Sequence, residues 1–213
     1  MVAKHPNAYM KAKRNHVIAH QYNDILMIDH IEVEKLGLSA AGKKYILTMT
    51  DVWSGYVVAV TTNSQKAEDT ISIIMHKWVL WHGVPREIIS DNGPGFRSQF
   101  YQAILRAFQC KFTYGLPYES KSTAKVERTN RRINQSLRLI LADKNPKTWD
   151  SYIDYVCSAL NSLKSRTTGF SANFLRFGYE LNSPMSLLLS NSDREDVLSP
   201  SNPDNRYLSL IHI

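Results

Sequence analysis

Cysteine is scarce in this 213-residue chain: Cys110 and Cys157 are the only two, 47 positions apart. So few exclude a disulfide-built scaffold, and the two cysteines stand too far apart to be a close-spaced zinc pair. The two thiols read first as reduced and partly buried, with a single disulfide between them as the lesser reading. Long hydrophobic runs are missing as well. The longest, such as Tyr56–Val60, fall far short of the roughly 20 apolar residues that cross a bilayer. Met1 to Pro6 lacks the apolar stretch of a secretory signal, so the expected setting is intracellular, with no membrane partner. Acidic residues are the minority charge. Nineteen Asp and Glu stand against 26 Lys and Arg, for a formal charge of +7. That balance favours a polyanionic partner, nucleic acid first.

What is present suits one domain with tails, since the apolar fraction is 43% and the length leaves no room for two comfortable cores. Residues 1–20 are polar and basic without periodicity and read as an arm, the end of a missing upstream domain. Ile25–Val33, Lys44–Val52 and Gly55–Thr61 read as strands, with a tight turn around Trp53–Gly55. Lys66–His82 has the spacing of a packed helix through Ile71, Ile74, Met75, Trp78, Val79 and Trp81, and Gly83 stops it. Arg86–Ser90 is a short strand, Asp91–Gly95 a loop, Phe96–Phe108 a helix and Cys110–Leu116 a fifth strand. Thr123–Asp143 and Trp149–Leu163 read as helices, the second with a stripe of Trp149, Tyr152, Ile153, Val156, Leu160 and Leu163. From 183 to 213 the composition turns to Ser, Asn, Asp and Pro and reads as a disordered tail. A hairpin followed by alternating strands and helices implies an α/β fold with a mixed sheet flanked by helices.

Three carboxylates stand out by position. Asp29 interrupts the apolar run Met27-Ile28-Asp29-His30-Ile31, where a charge is costly unless paired, exposed at a sheet end or bound to metal. Asp91 follows a strand and opens a glycine-containing loop, a place where α/β folds commonly bind ligands and where Asp also simply forms turns. Glu127 lies on the long helix. A core stripe of Val126, Ile133, Leu137, Ile140 and Leu141 leaves Glu127, Asn130, Arg131, Asn134 and Arg138 on an adjacent polar face. Each acid alone has an ordinary structural reading; for Glu127 it is a surface pair with Arg131 one turn on. Together they offer the oxygen ligands that hard divalent ions prefer and that two-ion phosphoryl transfer uses. Between Lys111 and Lys147 nine Lys or Arg residues meet three acids, a segment able to neutralise phosphates or merely to be solvated.

Asp29, Asp91 within Ser90-Asp91-Asn92-Gly93-Pro94-Gly95-Phe96, and Glu127 within Lys125-Val126-Glu127-Arg128-Thr129-Asn130 resemble the core of retroviral and retrotransposon integrases. Thirty-five residues separate Asp91 from Glu127, the spacing known for that family's acidic triad. Thr50–Tyr56 and His82-Gly83-Val84-Pro85 match it too, and Thr168-Gly169-Phe170-Ser171 with Phe177-Gly178 resembles the Ty3/gypsy-like group. The likeness covers about residues 21–182. It implies an RNase H-like fold, a five-stranded mixed sheet flanked by helices. It also implies a polynucleotidyl transferase that trims the 3′ ends of retroelement DNA and joins them to host DNA. Asp29, Asp91 and Glu127 would then be catalytic and hold Mg²⁺ or Mn²⁺, as two ions. Lys121, Lys125, Arg128 and Arg131 would contact DNA, with Asn92 next to the metals. A homo-oligomer on DNA and a nuclear location are implied with these.

The chain departs from the family pattern in places. Thr123-Ala124-Lys125 stand where a glycine commonly precedes the glutamate, which implies a stiffer approach to the helix. The upstream zinc-binding His/Cys module and a downstream DNA-binding domain are missing, so the chain reads as a fragment or decayed copy of a longer polyprotein. Leu208–Ile213 resembles a translated sequencing-adapter end and reads as non-native. The rival functions are an RNase H-like nuclease or transposase, and a domesticated DNA-binding protein without catalysis.

Overall fold

Apolar residues on either side of Asp29 make the first strand a central one, buried on both faces. In the computed structural model, which describes residues 18–33, 37–90, 108–114 and 120–181 (of 114 and 120–125 the backbone only), β1 is Ile25–Glu32. β2 (Tyr45–Asp51) and β3 (Val57–Thr62) follow as antiparallel neighbours. β4 (Glu87–Ser90) joins the other side of β1 in parallel, and β5 (Lys111–Tyr114) joins β4. The order β3-β2-β1-β4-β5 is the mixed five-stranded sheet expected.

Alternation along the strands sends two sets of side chains to two layers of helices. On one face Leu26, Ile28, Leu47, Met49 and Ile88 pack with Ile71, Ile74 and Trp78 of helix α1 (Ala67–Ile74) and its continuation. On the other, Ile31, Ile46, Val57 and Ala59 meet Ile133 and Leu137 of α2 (Ser120–Ile140), Trp149, and Ile153 and Val156 of α3 (Ile153–Ser162). Trp78 and Trp149 are wholly buried, and truncating either to alanine costs about 3–5 kcal/mol on the usual scale. Cys110 and Cys157 lie unbridged on opposite faces, and burial pushes their thiols up to about 11 and about 12. Residues 1–17 of the expected arm 1–20 and the whole of the expected tail 183–213 lie outside the described residues, as does the expected helix Phe96–Phe108 up to residue 107.

Several helices differ in detail from the sequence reading. Helix α1 passes into a π turn, Met75–Val79, before a last α turn, Leu80–His82. The wider turn changes the helical phase, so Trp81, expected in the packed stripe, is 75% exposed while His82 stacks on Trp78 at 4.3 Å. The segment expected to be helical from Trp149 begins as a 3₁₀ turn, Pro146–Tyr152, with Pro146 following the cap residue Asn145. Leu163 takes extended backbone at the end of α3 and leaves the expected stripe for solvent. A short helix, α4 (Ala172–Phe177), closes the described chain, capped by Ser171.

Two polar hubs fix the ends of β1 and β2. Asp51, fully buried, accepts bonds from the backbone N–H of Asn23 at 2.9 Å and of Ser54 at 2.7 Å, and from the Ser54 hydroxyl at 2.6 Å. Gly55 closes that turn at φ +79°, a conformation that suits glycine. Asn23 accepts from Trp78 Nε1 at 2.8 Å and donates to the carbonyls of His82 and Gly83. Beside it the Tyr22 hydroxyl bonds to His82 Nδ1, and the Arg176 guanidinium of α4 lies 4.3 Å from the Tyr56 ring centre. Burial, then the Arg176 charge, hold His82 down to about 4. A folded value below the ordinary one near 6.5 means that this histidine stabilises the fold above about pH 6.5. That contribution is lost as pH falls toward 4. Melting temperature is therefore expected to fall more between pH 7 and pH 4.5 in the wild type than in His82→Phe, which cannot titrate.

Candidate active site

The sheet face toward α2 turns polar at Asp29. Below it, Ile25 and Met27 of β1 and Ile89 of β4 form an apolar patch that receives Val126 of α2. Above it, Ile31 belongs to the core beneath Ile133 and Leu137. Asp29, half-buried, therefore lies under the middle of α2, between Val126 and Ile133. Residues 126, 130, 133 and 137 recur at helical spacing, so the residue above it is Asn130. Asn130 Nδ2 donates to Asp29 Oδ2 at 2.6 Å. Thr48, opposite Asp29 on β2 and only 1% exposed, completes the group. Its hydroxyl lies 3.2 Å from the Asp29 carbonyl oxygen and 3.2 Å from Asn130 Oδ1.

Glu127 precedes Asn130 by three residues, one turn (about 4.5 Å) along the helix and about 60° around it. It is exposed, on the side of α2 that carries Asn130 toward Asp29. The surface pair with Arg131 is not formed, whereas Lys44–Glu32, Arg86–Asp24 and Lys111–Glu87 are paired. Arg128 and Arg131 are exposed on α2. Lys121 and Lys125 belong to the same helix by backbone, and their side chains lie outside the described residues. So do Asp91 and Asn92 altogether. In sequence Asp91 follows Ser90, and Ser90 is the residue of β4 that pairs with Ile28, the neighbour of Asp29.

The structure thus brings Asp29 and the Glu127 turn of α2 to one place, and it adds two residues that the sequence reading did not assign. The sequence places Asn130 with Glu127 on the polar face beside the core stripe but gives it no role, and the structure turns it onto Asp29 of the sheet. Its signal was its place three residues after Glu127. Thr48 is one of two threonines of β2, with Thr50, and nothing in the sequence singles it out from the other. Among the described residues no three acids, histidines or cysteines converge, the third candidate acid lying outside them. The two described candidates offer carboxylate oxygens, one half-buried and one exposed, with no thiol or imidazole between them. That donor chemistry fits a hard cation such as Mg²⁺ or Mn²⁺.

Residues 19–120 match the model of the family described as the integrase core domain. The chain is 31% identical over 165 residues to the Pol polyprotein of Feline endogenous virus ECE1, covering 76% of this chain and 15% of that polyprotein. Against the Gag-Pol polyprotein of Baboon endogenous virus (strain M7) it is 31% identical over 164 residues, 76% of this chain and 9% of the polyprotein. It therefore spans only a small part of the curated relatives' length. Among solved structures, the HTLV-2 integrase catalytic core domain in complex with magnesium superposes with a TM-score of 0.61 at 24% identity. That match covers 75% of this chain and 99% of that one. The intasome of simian T-cell lymphotropic virus in complex with PP2A regulatory subunit B56 gamma gives 0.67 at 22%, covering 80% of this chain and 60% of that one. These likenesses show the RNase H-like fold. With that fold, the family model and the relatives in agreement, the chain belongs to the integrase core domain family of the retroviral type.

Proposed function

We propose that the chain is the catalytic core of an integrase, a polynucleotidyl transferase that trims the 3′ ends of retroelement DNA and joins them to host DNA. The observation that carries this is the clasp of Asp29 by Asn130, one turn beyond Glu127, which ties the helix bearing one candidate acid to the strand bearing another. Asp91 is the third, next in sequence to the β4 residue that pairs with the neighbour of Asp29. On this reading the three carboxylates hold two divalent cations, Mg²⁺ or Mn²⁺. When bound, these stabilise charge on the attacking and leaving oxygens of an in-line displacement. The chain's own residues hold the carboxylates in place and grip the DNA. Arg128 and Arg131, exposed on α2, and Lys121 and Lys125 near its start would contact phosphates, with Asn92 beside Asp91. Such contacts position DNA without reading its sequence. A homo-oligomer on DNA and a nuclear place of work belong to the same proposal. The HTLV-2 core has been solved in trimeric and dimeric forms.

Rejoining of a branched DNA that mimics the integration product tests this directly, because that substrate already holds both ends in position. Rejoining by the wild type with Mg²⁺ or Mn²⁺ is expected, with loss in Asp91→Asn and in Glu127→Gln. Nicking without rejoining would indicate an RNase H-like nuclease or transposase. DNA binding that is the same in all three proteins, with no chemistry, would indicate a binding protein.

A further inference from the structure

Thr48 occupies a position where valine would serve the sheet better. It is buried, with apolar Leu47 and Met49 on either side along the strand, and valine has its shape without a hydroxyl to desolvate. The hydroxyl nevertheless lies within reach of two acceptors, the Asp29 carbonyl and Asn130 Oδ1, each at 3.2 Å. Which end of the Asn130 amide meets Asp29 follows from the chemistry. An ionised carboxylate only accepts, so at 2.6 Å it must face the NH₂ group, and the amide oxygen then points at Thr48. An oxygen so placed needs a donor, and the Thr48 hydroxyl is the donor within reach there.

We propose that Thr48 is a positioning residue for the active site: its buried hydroxyl holds the Asn130 oxygen, which keeps the Asn130 NH₂ turned on Asp29 Oδ2. The strand residue thereby sets the orientation of the candidate carboxylate through the helix above it. Hydrogen-bonding partners behind a ligand carboxylate commonly change metal affinity by about 10–100-fold when removed. The link to metal rests on the function proposed above; the orientation of the amide does not.

Thr50 supplies a matched control. It lies two residues along the same strand, on the same face and equally buried, and its hydroxyl has no hydrogen-bond partner among the described residues. The first readout is the side-chain amide signal of Asn130 in ¹⁵N-labelled, metal-free full-length protein, assigned by its loss in Asn130→Ser. In Thr48→Val the two amide proton shifts are expected to move toward those of a free carboxamide. Thr48→Ser and Thr50→Val are expected to keep the wild-type signal. The second readout is calorimetric titration with Mn²⁺, with binding about tenfold weaker in Thr48→Val and unchanged in Thr48→Ser and Thr50→Val. An Asn130 signal unmoved by Thr48→Val overturns the proposal. So does wild-type Mn²⁺ affinity in Thr48→Val while Asp29→Asn binds weakly. If Thr48→Val moves the signal but Asp29→Asn binds Mn²⁺ as the wild type does, the positioning role stands and the metal reading of Asp29 falls.

Discussion

Asp29→Asn is expected to lower metal-dependent joining by roughly a thousandfold while leaving the protein folded. The substitution keeps the size of the side chain and removes its charge. The new carboxamide could still offer its carbonyl oxygen to Asn130 Nδ2, so the tether between β1 and α2 survives in weakened form. What goes is a negative ligand, on the proposed reading, in a mechanism where cations supply several kcal/mol of charge stabilisation in the transition state. A loss of about 4 kcal/mol corresponds to roughly a thousandfold in rate. The check is joining rate beside melting temperature. A rate within about tenfold of wild type, in a protein that melts normally, would remove Asp29 from the chemistry.

Asp51→Ala should show the opposite division. Both aspartates lie in central strands, yet every hydrogen bond that ties Asp51 down serves the fold. Its carboxylate is fully buried and satisfies three donors, two from Ser54 and one from the Asn23 backbone. Alanine leaves all three without their acceptor, and hydrogen bonds to a charged group contribute about 1.5–3 kcal/mol each. The bonds share one group and are not additive, so a loss of about 3–5 kcal/mol is expected, on the order of 10 °C in melting temperature. Joining per folded molecule, measured well below the transition, should stay near wild type. A variant that melts normally but has lost joining would mean that Asp51 acts in the reaction instead.

The contrast between those two acids shows where sequence reading stops. Asp29 was legible because a carboxylate inside Met27-Ile28-Asp29-His30-Ile31 breaks an apolar pattern, and the strands around it were legible through the same pattern. All five expected strands lie within two residues of the observed ends where those ends are described. The partners of Asp29 were not legible. Thr48 meets it only through the antiparallel register of β1 and β2, and Asn130 only through the angle at which α2 crosses the sheet. Neither quantity is local. A polar residue on an amphipathic helix looks the same in sequence whether it faces water or a buried carboxylate. The start of α2 shows a smaller error of the same kind. It begins at Ser120, three residues before the expected Thr123, because apolar periodicity marks where a helix is buried and says little about where its backbone starts.

The π turn at Met75–Val79 is the mark of an insertion in the helix. Such a turn holds about one residue more than the α-helix it interrupts, as though a single codon had been added to a regular helix. Rewinding it to regular α pitch with every residue kept would turn the last segment by about 100°, swinging Trp81 toward the stripe of Ile71, Ile74 and Trp78 and carrying His82 away from Tyr22 and Trp78. The wide turn instead absorbs the extra residue and keeps His82 on the buried face: an indole is left in water, and an imidazole gains a stacked ring and a hydroxyl partner. Relatives whose helix is one residue shorter and regular at this point should therefore still bring the residue matching His82 to this face, opposite the residue matching Tyr22.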